Sequence, residues 1–193
     1  MLNKVILTDC DGVLLNWEAS FTTWMAQKGY NKVNADVYEM EVAYGITKEE
    51  SKPLVRQFNE SAWMGYLPAL RDARSGVAKL VESGYEFVCI TSLSLDENAK
   101  KARVKNLQTV FGEDVFNMEN VVCLDTGADK DEALALYAGL GLYWIEDKSE
   151  NAELGASLGL QSILINHGHN KDCDNPNIKR VANWADIVSI ITN

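Results

Sequence analysis

The sequence predicts an α/β fold: a Rossmann-like parallel sheet flanked by helices, with a small helical segment inserted after the first strand. Three observations predict it. Short apolar runs that read as buried strands recur along the chain. Helix-like stretches separate the later runs, the alternation that builds a parallel, doubly wound sheet. The alternation lapses once, between residues 16 and 67, where helix signals occur without a convincing strand.

The elements follow in order. Residues 4–8 form the first strand, closed by Asp9, Asp11 and Gly12. A helix is expected at 17–28, ending at Gly29. Thr47-Lys48-Glu49-Glu50 is a capping box that starts a second helix running towards Trp63. Between 69 and 83, Val77, Ala78, Leu80 and Val81 recur at helical spacing. Strands are then expected at 85–91, 120–124, 142–145 and 161–165. Ser94-Leu95-Asp96-Glu97 reads as a second capping box, opening a helix to about Phe111, with Gly112 as its stop. Shorter helices are expected at 130–137 and 150–158, a polar loop at 166–177, and a last helix near 184–191. Residues 1–15 and 69–193 thus form one α/β core, and residues 16–68 an inserted helical unit.

Size and composition narrow the function. A chain of 193 residues supports one sizeable core, alone or with a small appendage. No apolar run approaches the ~20 residues that span a membrane. The N-terminus lacks the basic stretch and longer apolar region of a signal peptide, so a cytoplasmic location is expected. Of Cys10, Cys89, Cys123 and Cys173, the first three lie in or beside strands and none form a C-x-x-C pair, which fits free thiols in a reducing compartment. A net charge of −10 repels a nucleic-acid backbone, so no polymeric nucleic acid and no membrane partner are expected; a homodimer is left open.

Ligands in such sheets bind at the carboxyl ends of the strands, so the residues there carry most weight. Asp9 and Asp11 leave the first strand pointing to one side. Like charges so close resist joint ionisation unless a cation or a proton is shared. A turn-capping pair is the plainer reading of D-x-D alone; the apolar strand before it and the elements downstream favour a functional one. Thr91 and Ser92 end the second strand, Glu146 and Asp147 the fourth. Lys130 opens a helix after the third, where it opposes the helix dipole and so invites an anionic partner. This set of carboxylates, hydroxyls and an ammonium suits phosphoryl transfer. Asp9, Asp147 and the backbone carbonyl of Asp11 can hold Mg²⁺, which prefers oxygen ligands. One carboxylate can serve as nucleophile and another can protonate the leaving oxygen.

The order D-x-D-G-V, then T-S after a strand, then Lys130 in K-x-x-x-L, then Glu146-Asp147 with Asn151 four residues on, resembles the haloacid dehalogenase superfamily of phosphohydrolases over nearly the whole chain. The resemblance implies a Rossmann-like core with a cap, here residues 16–68. It implies Asp9 as nucleophile and Mg²⁺ ligand, and Asp11 as general acid and base that gives a carbonyl to the metal. Thr91 then holds the phosphoryl group, Lys130 neutralises charge, and Asp147 completes the metal site, with Glu146 a second-sphere or water-mediated partner.

A narrower resemblance is to the 5′(3′)-deoxyribonucleotidase branch, carried by residues 9–21, Phe58-Asn59-Glu60-Ser61-Ala62-Trp63, residues 89–92, Asp129-Lys130 and residues 145–148. It implies that Trp17 stacks on a base, Trp63 closes the pocket, and Ser92 and Arg103 contact substrate. Glu146 and Leu93 depart from that branch, which has Asp and Pro there. The expected function is a Mg²⁺-dependent phosphomonoesterase that forms an aspartyl-phosphate and acts on small phosphorylated substrates, (deoxy)nucleoside monophosphates first. The alternatives are a phosphatase for a sugar or amino-acid phosphate, and a non-catalytic module of the same fold, ranked below because Asp9, Asp11, Thr91, Lys130 and Asp147 are all present. A nucleotide-binding oxidoreductase is disfavoured by the missing G-x-G-x-x-G.

Two further features take a plain reading. Trp24, Trp144 and Trp184 are assigned to packing. His167-Gly168-His169, with Cys173 and Asp174, matches no zinc spacing and reads as a polar loop that, following a strand, could flank the site.

Overall fold

A computed structural model of the chain describes residues 4–193. Five strands coincide with the apolar runs: β1 (Val5–Thr8), β2 (Glu86–Ser92), β3 (Val121–Leu124), β4 (Tyr143–Glu146) and β5 (Gln161–Ile165). A sixth, β6 (Lys179–Val181), was not expected from the sequence. Two of its three residues are cationic, so it carries no apolar run; charge of this kind blunts an edge strand. The sheet order is β3-β2-β1-β4-β5-β6, and every pairing is parallel.

The side-chain alternation of β1 explains the two covered faces. Ile6 joins Cys89, Ile145 and Ile163 in one apolar cluster. That face is covered by α4 (Ala73–Glu82), α5 (Glu97–Phe111) and α8 (Trp184–Thr192), through Val77, Leu107 and Ile187. Leu7 joins Ile90 and Trp144 on the other face, under Leu134 of α6 (Asp131–Ala135) and Leu154 of α7 (Ser149–Ser157). Trp144 and Trp184 are fully buried and Trp24 nearly so, as packing residues.

Between β1 and α4 the chain is helical, in α1 (Trp17–Gln27), α2 (Met40–Tyr44), α3 (Lys48–Asn59) and a 3₁₀ turn at Ala62–Gly65; the sequence pattern predicts α1 and α3 but neither α2 nor the turn. Phe21 centres their aromatic cluster, with Trp17 stacked at 4.4 Å and Phe58 edge-on at 5.2 Å. The same apolar cluster continues from Phe21, Met25 and Phe58 to Ile6 and Cys89 of the sheet.

Two helix expectations are corrected. The second helix does not reach Trp63. Ser61 Oγ donates to the Phe58 carbonyl at 2.7 Å and accepts from the Trp63 amide at 3.3 Å. That local alternative to helical bonding ends α3 and restarts the chain as a 3₁₀ turn. The box at Ser94 does not form either: Asp96 caps α5 by accepting from the Ala99 amide at 2.8 Å, while Ser94 Oγ donates to Glu60 Oε1 at 2.7 Å. All four thiols are free. Among the described residues no helix is long and apolar enough to cross a membrane.

Candidate active site

The sheet order turns back on itself at β1, with later strands added outward from β2 on one side and from β4 on the other. A ligand crevice is expected beyond the carboxyl ends of the strands at this switch point. Asp9 leaves β1 there, its backbone N–H donating to the Ile145 carbonyl of β4 at 2.8 Å. Glu146 ends β4 and Asp147 follows. Carboxylate oxygens of Asp9, Glu146 and Asp147, all buried, lie within 4.8 Å of one another.

Lys130 crosses from the start of α6 to meet them. Its Nζ lies 2.8 Å from Asp9 Oδ1 and 2.9 Å from Glu146 Oε2, at only 3% side-chain exposure. Glu146 Oε1 also accepts from the Lys148 amide at 3.1 Å and Asn151 Nδ2 at 3.2 Å. Burial, then the charge of Glu146, push the Asp9 carboxyl well above the usual carboxylate range, against the pull of Lys130. Burial raises Glu146 too. For Lys130 burial acts downward, but Asp9 and Glu146 outweigh it and hold the ammonium charged. Three carboxylates against one ammonium leave a formal charge of −2 in a buried recess.

The loop after β5 braces this cluster from behind. His167 Nε2 lies 2.7 Å from the Gly12 carbonyl, and His169 Nε2 lies 3.0 Å from the Asp147 carbonyl and 3.3 Å from its Oδ2. Asn170 Nδ2 donates to the same Asp147 carbonyl at 2.7 Å. The two imidazoles stack, 5.3 Å apart. Burial lowers the pKa of His167; for His169 the bond to Asp147 and its charge outweigh burial and raise it.

The remaining expected residues stand as follows. Thr91 is buried near the end of β2, in register with Cys123. Ser92 Oγ donates to the Ala128 carbonyl at 2.8 Å, tying β2 to the loop that precedes Lys130. Asp11 is turned to Arg103, which holds both its oxygens, at 2.5 and 2.9 Å. Arg103 is fully buried, and its guanidinium is taken up by this internal pair. Burial acts against its charge, but Asp11 outweighs it. Trp17 and Trp63 are half-buried in the helical insertion; Trp17 Nε1 donates to Asn59 Oδ1 at 2.9 Å, and Trp63 lies 6.2 Å from Phe58.

Tyr38 was missed, because its segment shows no periodicity and belongs to no motif. Its ring lies 5.3 Å from that of His169, and Lys148 Nζ lies 5.2 Å from its centre. The residue is 46% exposed, and burial first, then the charges of Asp147, Glu146 and Asp9, raise its pKa. It brings the insertion to the rim of the acidic recess.

No family model matches the chain. A 32.4 kDa protein from the Gp30-rIII intergenic region of Enterobacteria phage T4 is 30% identical over 119 residues, 57% of this chain and 42% of that protein, so the match spans less than half of the relative's length. Among solved structures, a haloacid dehalogenase-like hydrolase from Streptococcus pneumoniae superposes with a TM-score of 0.67 at 14% identity, covering 97% of this chain and 98% of that one. A predicted phosphoglycolate phosphatase from Haemophilus somnus gives 0.62 at 16% identity, covering 97% of each chain. A heptose bisphosphate phosphatase from B. bronchiseptica, complexed with magnesium and phosphate, gives 0.62 at 12%, covering 98% of each. The six-stranded parallel sheet and its helices therefore have the haloacid dehalogenase-like fold.

Proposed function

We propose that this chain is a Mg²⁺-dependent phosphomonoesterase of the haloacid dehalogenase superfamily, working through an aspartyl-phosphate on Asp9. The observation that carries this reading is the meeting of Asp9, Glu146, Asp147 and Lys130 at the switch point of the sheet. The donor set fits the metal: hard carboxylate oxygens within 4.8 Å of one another, with a formal charge of −2 that a dication cancels. Asp9 and Asp147, with the backbone carbonyl of Asp11, would hold the ion, and Glu146 would orient Lys130. Bound there, Mg²⁺ supplies charge neutralisation for the phosphoryl oxygens.

The residues then divide the chemistry. An Asp9 oxygen bonds to phosphorus as the bond to the leaving oxygen breaks, and that oxygen takes a proton from Asp11. Water next attacks the aspartyl-phosphate and gives its proton to Asp11, which releases phosphate and restores both carboxyls. Lys130 and Thr91 steady the phosphoryl oxygens. Residues 16–68 act as a cap domain, a role supported by the place of Tyr38 at the rim. Free thiols support a reducing, cytoplasmic setting.

The substrate class is a small phosphomonoester, in keeping with the solved structures of this fold named as phosphoglycolate and heptose bisphosphate phosphatases. The narrower reading, a (deoxy)nucleoside monophosphate, rests on the motif resemblance and on the half-buried Trp17 and Trp63 in the insertion. Assay with Mg²⁺ against nucleotides, deoxynucleotides, sugar phosphates and phosphoglycolate tests both. The expected result is phosphate release, abolished by chelation and by Asp9→Asn without loss of fold. A fully active Asp9→Asn variant overturns the nucleophile, and a flat response across nucleotides removes the narrower substrate.

A further inference from the structure

We infer that Arg103 is a positioning residue for Asp11, fixing the carboxylate that exchanges the proton with the leaving group; the inference rests on the phosphomonoesterase reading. Arg103 lies in α5, at 0% side-chain exposure, while Asp11, two residues past Asp9, is 25% exposed. The two are joined as a fork on a fork, Nη1 to Oδ1 at 2.5 Å and Nη2 to Oδ2 at 2.9 Å. The fork is itself pinned: Nη1 also approaches Cys10 Sγ at 2.8 Å, and Nη2 approaches Met64 Sδ at 3.2 Å. Arg103 Nε is buried with no hydrogen-bond partner among the described residues.

A purely structural account of this pair is weak. Buried ion pairs are commonly no more stable than apolar residues of the same volume. Here a buried guanidinium keeps one donor unpaired, an added cost, in order to grip one carboxylate with both arms. Such a grip fixes the plane of the carboxylate as a point charge cannot. Each oxygen keeps a further lone-pair direction, so Asp11 can still meet an oxygen arriving from the cleft. Proton transfer needs that oxygen within hydrogen-bond reach, and the grip sets where the reach begins. Met64 belongs to the 3₁₀ turn that ends the insertion, so the insertion also limits where the fork can stand.

The leaving group discriminates this role from simple support. An alkyl phosphate needs a proton on its departing oxygen, whereas p-nitrophenolate departs without one. We expect Arg103→Lys and Arg103→Gln to lower kcat about 100-fold on glycerol 2-phosphate, with KM little changed, and less than about tenfold on p-nitrophenyl phosphate, the span general acid catalysis covers. Asp11→Asn should show the same selectivity. Equal losses on both substrates, wild-type rates, or failure of both variants to fold would each overturn the positioning role and leave Arg103 as part of the core. A wild-type protein that hydrolyses neither compound with Mg²⁺ overturns instead the reading on which the inference rests.

Discussion

Gly12 shows how narrowly the acidic recess is built. Its φ of +76° lies in the left-handed region, and a Cβ there would stand 2.2 Å from Asp147 Oδ2 and 2.7 Å from its Cγ. In the sequence this glycine reads only as a turn after D-x-D; the second constraint comes from a residue 135 positions away, whose carboxylate fills the space of the absent side chain. Gly12→Ala should therefore do two things. The backbone alone costs about 1–2 kcal/mol, read as a lower unfolding midpoint. Asp147 must also move, so the Mg²⁺ concentration for half-maximal activity should rise. An alanine variant with unchanged metal dependence would show that Asp147 tolerates displacement. Arg103 teaches the same lesson with charge. Its place on the helix after the second strand was legible, but the direction of its guanidinium was not, because only packing brings Asp11 within reach.

Single elements were legible wherever a local rule had no rival. The capping box at Thr47 forms as its pattern specifies: Thr47 Oγ1 accepts from the Glu50 amide at 3.2 Å, and Glu50 Oε2 accepts from the Thr47 amide at 2.9 Å. The similar pattern at Ser94 fails because α5 starts later, with Asp96 as its N-cap: Asp96 Oδ1 accepts from the Ala99 amide at 2.8 Å, while Ser94 Oγ accepts from the Asp96 amide at 3.1 Å and donates to Glu60 Oε1. α3 has particular need of its cap, since Pro53 inside it has no amide to donate to the Glu49 carbonyl. Thr47→Ala should lower stability by about 0.5–2 kcal/mol in urea unfolding. A midpoint identical to the wild type would mean that tertiary contacts alone set the start of α3. The edge strand β6 marks the opposite limit. Three residues, two of them cationic, carry no apolar signal, and pairing with β5 alone makes them a strand.

Across the molecule, the insertion is tied to the α/β core by the shared apolar cluster, by the buried amides of Asn59 and Asn106, and by exposed charges. Asn59 accepts from Trp17 Nε1 at 2.9 Å and donates to the Leu93 carbonyl at 2.9 Å, joining α1 and α3 to the chain just past β2. Arg56 reaches Asp125, after β3, at 3.0 Å, with both side chains over 40% exposed. A buried bond left half-made costs far more than a solvated ion pair. Asn59→Ala should thus cost about 1–3 kcal/mol and loosen the hold of the insertion on the core, read as a lower unfolding midpoint and, for the proposed activity, a rise in KM. Arg56→Ala should leave the unfolding midpoint nearly unchanged. The reverse ranking would place the join in surface electrostatics.

Strand runs, helix signals and the order of the acidic, hydroxyl and lysine motifs settled the parallel fold and the candidate chemistry in advance, because hydrophobic periodicity and turn chemistry act between near neighbours along the chain. Tertiary structure alone decided that Lys130 bridges Asp9 and Glu146, that the His167–His169 loop supports Asp147, that Arg103 faces Asp11, and that Tyr38 reaches the rim. Those contacts join residues far apart in sequence. Their geometry follows from how the covered faces of one sheet close, which no local pattern encodes.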